Sequence, residues 1–565
     1  MQTWEYAPQY ALRTYAYLLP MAGLAKCLQF ILKILPTTTL RHLLSGSVQR
    51  NILISAAMDS HDDKPLLFAM LRSSLALISC YSELSFLSSI YDIISPNSAH
   101  FTALCSFTAA GNFHANQAFL PSSSVMILWR LSAADQLRGY DGCAIFWGLV
   151  AVLAVGWPFC AVLFIPTGLC ALWKAAACVE QNDNTMRFRS MAQVLIRTAL
   201  HALIIQALVM MIDYYYYGRI VSPIWNIFMY NATAGGDELY GVEPLSYYMK
   251  NLLLNFNVVS LLGVISLPLV LGRKLLATLS PQTFRGGNYS GDSDGWKILM
   301  LIPMNIWLSI VFPRPHKEER FLFPIYPMLC FGAAIALEEI IILSIKVLSL
   351  IRPKLDMPST NKVKLIGAVI LAPFAGISIS RAFALHYNYS APIELYQYFF
   401  YHHMTTGQPH IHNKTIYICT AGEWYRFPSS FFLPPNTQLG FLKSSFAGQL
   451  PQPFTEFGSR EKSLTIHAGN FNDKNREEMD RYVGFNECSF LVELVPSRDS
   501  PDEETPECLQ YMKSDPSDAW VQVASYNYLD AMSTEALHRI VYIPFKRMNK
   551  VRYKGYNLYR SAIEN

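Results

Sequence analysis

Between two apolar runs the chain reads Arg314-Pro315-His316-Lys317-Glu318-Glu319-Arg320, six ionisable residues in seven positions. Charges this close to hydrocarbon are costly and, where they persist, tend to serve function. A solvated turn with self-paired charges would give the same letters. The mixture of His, Lys and Arg around two carboxylates nevertheless suits an anion. His316, Lys317 and Arg320 are the candidates to hold a phosphate, which arginine can grip bidentately. Glu318 and Glu319 would orient them.

Two further concentrations precede this run. Asp213 leads into Tyr214-Tyr215-Tyr216-Tyr217-Gly218, and Glu243 follows in Gly241-Val242-Glu243-Pro244. A carboxylate beside a row of tyrosines could hold sugar hydroxyls, with Tyr217 among the candidates; an interfacial aromatic belt is the plainer reading of the tyrosines. For Asp213 and Glu243, structure and function weigh evenly. The N-terminus, Gln2-Thr3-Trp4-Glu5-Tyr6-Ala7-Pro8 with Arg13 after it, adds Glu5 as a candidate for proton transfer and Trp4 as a candidate sugar platform. His114 and His201, alone on apolar helices, read as hydrogen-bonded core histidines. Asn255 and Asn257 read as polar glue between helices, and Phe119-Leu120-Pro121-Ser122-Ser123 as a helix-linking turn.

The elements that must position these residues are membrane helices. Of 565 residues, 52% are hydrophobic and only 15% charged, with a mean hydropathy of +0.21; soluble proteins carry roughly a quarter charged residues. A span needs about 20 apolar residues. Candidates cover 66–91, 101–117, 119–135, 192–212, 251–272, 296–313, 322–346 and 363–385. The run 143–173 is interrupted by Gly156-Trp157-Pro158 and divides into two shorter helices, because proline removes a backbone donor. Residues 14–35, interspersed with Lys26 and Lys33, read as an interfacial helix. The expectation is a polytopic α-helical membrane protein of roughly 9–11 helices, with a transmembrane body over 1–385 and a soluble α+β domain over 386–565.

Orientation follows from the positive-inside rule. Arg352, Lys354, Lys362 and Lys364, then Arg273, Lys274 and Arg285, then Lys174, Arg187 and Arg189 mark three connections as cytoplasmic. The segments 213–250, 314–321 and everything beyond 385 then share the opposite side. Sequons at Asn231, Asn388 and Asn413 agree, whereas Asn288 falls in a connection read as cytoplasmic. In the polar domain, strand-like alternation covers Thr415–Thr420, Phe490–Val495, Trp520–Ala524 and Arg539–Ile543, and Asp502-Glu503-Glu504 reads as a surface loop. The eleven cysteines show no metal spacing. Cys143, Cys160 and Cys170 read as small buried hydrophobes, and Cys488 and Cys508 are candidates to pair. A net charge of +4 and the lack of a basic-aromatic patch exclude nucleic acid as a partner.

His316-Lys317-Glu318-Glu319-Arg320-Phe321, followed by Pro324 and Tyr326-Pro327, resembles the signature of family 22 glycosyltransferases, lumenal mannosyltransferases of N-glycan and GPI-anchor synthesis with the GT-C fold. Gln2–Tyr6 with Tyr10-Ala11, Asp213 with Tyr215–Gly218, Leu239–Gly241 with Glu243-Pro244, Leu254–Val258 and Glu423–Ser430 look closer to the subgroup that adds α-1,2-linked mannose to the dolichol-linked oligosaccharide. The resemblance covers most of the chain and is weakest at 37–65 and beyond about 500.

The resemblance implies an endoplasmic-reticulum membrane enzyme with its active face in the lumen. The donor would be dolichyl phosphate mannose, the acceptor a mannose-rich glycan on dolichyl diphosphate, with transfer by inversion and no cofactor, metal or nucleotide site. The charged loop would then stabilise the leaving phosphate, and Arg426 would lie near the acceptor sugars. Relatives carry a further helix and an acidic lumenal loop, the usual source of the base, ahead of the Gln-Thr-Trp-Glu-Tyr segment. A truncated start lacking that base is the expectation here, with Glu5 and Asp213 as weaker substitutes. Stretch 37–65, including Thr37–Thr39 and His61–Lys64, reads as retained non-native sequence. A GPI-anchor or α-1,6 sibling, a non-catalytic relative and a transporter are the rival readings; the last predicts ionisable residues at mid-helix and paired broken helices.

Overall fold

The apolar runs become helices whose ends are set by local chemistry. In the computed structural model, residues 1–34, 63–177, 184–233, 239, 241–279, 293–351, 360–405, 415–426, 430–453, 471–496, 510–512, 520–544 and 550–562 are described. They form α1 (Leu19–Ile34), α2 (Lys64–Ile93), α3 (Pro96–Thr108), α4 (Ala110–Ala115), α5 (Pro121–Leu137), α6 (Asp141–Leu149) and α7 (Ile165–Ala177). Next come α8 (Asn184–Tyr217), α9 (Pro223–Thr233), α10 (Ser246–Leu279), α11 (Ser293–Val311), α12 (Tyr326–Ile351), α13 (Thr360–Tyr389) and α14 (Ala391–Thr405).

Among the described residues six helical segments are long and apolar enough to cross a membrane by length and composition. The chain is a multi-pass α-helical membrane protein.

Capping fixes several starts. The Asp63 side chain accepts from the N–H of Leu66 with Pro65 in the first turn, and Ser95 accepts from Asn97 and Ser98 ahead of α3 with Pro96 in the first turn. Both satisfy amides a helix leaves open at its start. Asp63, Lys64 and Pro65, the end of the stretch 37–65 read as non-native, are packed into the fold: Lys64 Nζ also donates to the Leu433 carbonyl at 2.5 Å. The rest of that stretch, Asn288, Asn413 and Asp502–Glu504 lie outside the described residues.

The run 143–173 breaks where expected. Gly156 has φ +73°, and a Cβ there would come within 2.8 Å of Thr14 Cγ2, so glycine is needed for both backbone and contact. The run 101–117, read as one span, is instead α3 and α4 separated at Ala109, whose ψ of 125° is extended. Ordinary capping at Ser95 starts α3 before the apolar run, and across the break Asn112 Nδ2 donates to the Ser106 carbonyl at 3.1 Å.

Helices α10 and α12 meet closely: a Cβ at Gly263 would lie 2.7 Å from the Leu329 carbonyl, and one at Gly332 would lie 2.6 Å from Ser266 Oγ. Small residues let backbones approach in this way inside a bilayer.

The C-terminal region forms a five-stranded sheet of β1 (Ile416–Thr420), β2 (Thr437–Phe441), β3 (Cys488–Val495), β4 (Trp520–Leu529) and β5 (Tyr553–Ser561), in the order β2-β1-β3-β5-β4. The β1 pairings are parallel and those of β5 antiparallel. Helix α14 buries Leu395, Tyr396 and Phe399 with Ile418, Phe490, Tyr556 and Leu558. Arg539–Ile543 is not a strand: Ala536–Ile540 forms the helix α15. Tyr542 instead pairs with α13, donating its N–H to the Ser380 carbonyl at 3.1 Å.

Cys488 bonds Cys419, not Cys508, which lies outside the described residues. Parallel β1–β3 pairing sets Tyr417 opposite Cys488, which brings Cys419 and Cys488 into reach. Cys160 is buried as expected, but Cys143 is exposed and Cys170 half-buried, since outward faces of membrane helices need no cover from protein. His201 is likewise exposed, its ring edge-on to Phe146.

Candidate active site

The charged loop separates its two carboxylates. Glu318 Oε1 accepts from Arg320 at 2.6 Å and lies 3.1 Å from His316 Nε2. Burial pushes the Glu318 carboxyl up, but Arg320 and His316 outweigh it and hold the group below its ordinary range. The other His316 nitrogen meets the Gly241 carbonyl at 3.0 Å.

Lys317 is buried. Its ammonium donates to the Glu243 carbonyl at 2.9 Å and to that of Arg314. With the Glu243 N–H donating to Pro315 O at 3.0 Å, these bonds fasten segment 241–243 onto the loop. Glu243 therefore contributes its backbone, and Lys317 is engaged by carbonyls. Arg320 remains the most open of the three cations, its side chain 39% exposed.

Glu319 turns the other way, into the helical body. Its Oε1 accepts from Asn255 at 2.8 Å, meets His114 Nε2 at 2.9 Å and accepts from Tyr326 at 3.5 Å. His114 is thus hydrogen-bonded as expected, but to the charged loop. Asn255 Oδ1 accepts from Arg381 Nε at 3.4 Å. Asn257, at φ 35°, kinks α10 and reaches Ser378 on α13 at 3.3 Å, which is the inter-helix role expected of it.

The N-terminal segment lies against this layer. Arg13 donates to Glu5 Oε1 through Nε at 3.1 Å and through its terminal nitrogen at 2.8 Å, and it feels the charge of Glu318. Asp213 is fully buried; its Oδ1 accepts from the Tyr15 N–H at 2.8 Å and from Thr14 Oγ1 at 3.1 Å. Tyr217 donates to the Arg13 carbonyl at 2.6 Å. The end of α8 therefore clamps residues 13–15, while Tyr214 and Tyr215 stay exposed, as interfacial aromatics do. Trp4 packs edge-on to Tyr10 and tilted on Tyr230.

The family model described as "Alg9-like mannosyltransferase family" matches residues 1–434. The chain belongs to the Alg9-like mannosyltransferase family. It is 34% identical over 562 residues to Alpha-1,2-mannosyltransferase ALG9 of Mus musculus, covering 99% of this chain and 81% of that one. GPI mannosyltransferase 3 of Candida glabrata is 27% identical over only 27% of this chain and 22% of its own length. The crystal structure of ArnT from Cupriavidus metallidurans bound to undecaprenyl phosphate is matched at a TM-score of 0.35 and 10% identity, over 75% of this chain and 86% of that one.

Within the span of the family model, Arg426 stands apart from the charged loop. It pairs with Glu423, donates to Tyr528 at 2.6 Å and stacks over Tyr425 and Tyr528 at 4.8 and 4.5 Å. Burial pushes the Glu423 carboxyl above its ordinary range against the pull of Arg426. His114 and Arg381 are the site residues that sequence reasoning missed. Arg381, a cation within the run 363–385, carried a usable signal.

Charges inside the body are also more numerous than the sequence reading allowed. Arg130 lies 2.6 Å from Glu83, both buried, and Lys297 lies 3.0 Å from Glu339.

Proposed function

We propose that this chain transfers mannose from dolichyl phosphate mannose to the mannose-rich glycan of a dolichyl diphosphate in α-1,2 linkage, at the lumenal face of the endoplasmic-reticulum membrane. The observation that carries this reading is the charged loop, where Glu318 gathers His316 and Arg320 at one end of the helices. The acceptor 2-hydroxyl oxygen attacks the anomeric carbon from the face opposite the phosphate. One C–O bond forms as the bond to dolichyl phosphate breaks, and the hydroxyl proton passes to a carboxylate. Arg320 and His316 stabilise the charge that grows on the departing phosphate, while Lys317 keeps the loop in place. Contacts between segments 2–15, 213–243 and 314–320 support a shared lumenal side, and the Cys419–Cys488 bond supports an oxidising compartment for the sheet.

The rival assignment to GPI-anchor synthesis is disfavoured by the Glu423–Ser430 segment and by the short extent of that match. The test is complementation. Cells lacking the α-1,2-mannosyltransferase are given this protein from its complete coding sequence, and lipid-linked glycans are sized by mass spectrometry. Restored full-length glycan is the expected result. A glycan that stays short while the protein accumulates in the membrane overturns the proposal.

A further inference from the structure

Glu319 occupies a position unlike that of its neighbour Glu318. Three donors from three elements converge on one of its oxygens: His114 from α4 at 2.9 Å, Asn255 from α10 at 2.8 Å and Tyr326 from the start of α12 at 3.5 Å. Among the described residues His114 Nδ1 is buried without a hydrogen-bond partner. A carboxylate oxygen can only accept, so the hydrogen of this contact lies on His114 Nε2.

The anchoring continues outward. Asn255 Oδ1 is itself held by Arg381 Nε at 3.4 Å, and the Arg381 guanidinium donates to the Ile540 carbonyl at 3.3 Å. Beside it, Ser380 and Tyr542 exchange two bonds, at 2.7 and 3.1 Å. The C-terminal region therefore fixes the end of α13 that fixes Asn255, which in turn fixes Glu319.

All these bonds go to Oε1. Glu319 Oε2 has no hydrogen bond among the described residues, and the side chain is 33% exposed. A carboxylate locked through one oxygen, with the other free of hydrogen bonds among the described residues on a part-exposed side chain, is placed to accept. An anion would be repelled, and on the mannosyl-transfer reading the donor that reaches this oxygen is a sugar hydroxyl. We propose that Glu319 is a sugar-binding carboxylate whose open oxygen accepts a hydroxyl of the mannosyl donor or of the acceptor glycan, and that His114, Asn255 and Arg381 are its positioning residues. This rests on the mannosyl-transfer reading above and adds a group to it that recognises the sugar rather than the phosphate.

The test uses the full chain in membranes, with steady-state kinetics for each substrate varied in turn. In Glu319→Gln the amide oxygen takes the three donors and the amide nitrogen faces the ligand. KM for one substrate should rise about tenfold, the scale of a hydrogen bond to a charged group, while kcat changes less than about threefold. A rise for the donor assigns the hydroxyl to the donor mannose; a rise for the acceptor assigns it to the glycan. A set of monodeoxy-mannose analogues of that substrate should contain one for which wild type and Glu319→Gln no longer differ.

For positioning, His114→Ala should reproduce part of the KM rise and His114→Gln, whose amide can still donate, should restore it. KM values unchanged for both substrates, or a kcat loss with KM intact, overturns the inference while mannosyl transfer stands. A wild-type protein that transfers no mannose overturns the parent reading, and this one with it.

Discussion

The backbone N–H of Tyr15 donates to Asp213 Oδ1 at 2.8 Å, joining residues 198 apart in sequence. Thr14 Oγ1 shares that oxygen at 3.1 Å, and Gly156 leaves room for the Thr14 methyl. One buried carboxylate thus holds the turn that delivers Arg13 to Glu5 and toward Glu318.

This makes Asp213 a brace, and a brace tolerates an isostere. Asp213→Asn keeps an oxygen for both donors and should retain mannosyl transfer within about threefold, as neutral hydrogen bonds differ modestly from charged ones. Asp213→Leu leaves the Tyr15 amide unpaired and should lower transfer by about tenfold or more. A proton-accepting Asp213 would behave differently, with Asn alone costing about 100-fold or more. Initial rates of the two variants at equal protein level decide between these roles.

Arg130 and Glu83 form a pair inside the helical body, Nε to Oε2 at 2.6 Å. Arg130 also donates to Ser79 and to Asn116 at 2.9 and 3.1 Å, which secures the turn just beyond His114. Arg130→Met strands the Glu83 charge and should destabilise the protein by about 3–5 kcal/mol. Adding Glu83→Leu removes the stranded charge and should recover most of that loss. Thermal unfolding of single and double variants in detergent measures the difference; a double variant no better than the single would refute it.

The long spans were legible because about 20 apolar residues have few alternatives in a chain, and Gly156-Trp157-Pro158 announced its own break. The break at Ala109 has no proline to announce it, and the Asn112 side chain that reaches the Ser106 carbonyl across it is visible only in the fold. Distance in sequence hid the site. His114 looked like a lone core histidine because its partner Glu319 lies 205 residues away. The charged loop was readable as a cluster, but nothing local says that Glu318 would gather cations while Glu319 turned inward. Cys419 lies within Thr415–Thr420, whose alternation reads as a strand, yet only the β1–β3 pairing chooses it over Cys508. Short strands suffer most: Arg539–Ile543 alternates like a strand, but its start closes α15 and its Tyr542 bonds to α13 instead of a sheet neighbour.

Glu318 gives the charged loop a pH dependence whose sign can be worked out. Its carboxyl has an ordinary value of 4.5 and sits lower in the folded protein, because Arg320 and His316 outweigh burial. A lowered folded value means that the unfolded chain takes up the proton first as pH falls. The stabilisation from this group is therefore complete above 4.5 and lost only as pH drops through the lower folded value. Between neutral pH and about 5, the Glu318→Gln variant should melt below wild type by a constant interval. Below 4.5 the interval should shrink. The same pair fixes Arg320, so on the proposed role of Arg320 at the leaving phosphate Glu318→Gln should also lower mannosyl transfer across the neutral range by about tenfold, the scale of a charge-assisted bond. Melting temperatures and initial rates of both proteins across this pH series check the two halves together. An interval that widens on acidification would show that the Glu318 carboxyl is held above its ordinary range, and the loop would then need a different account.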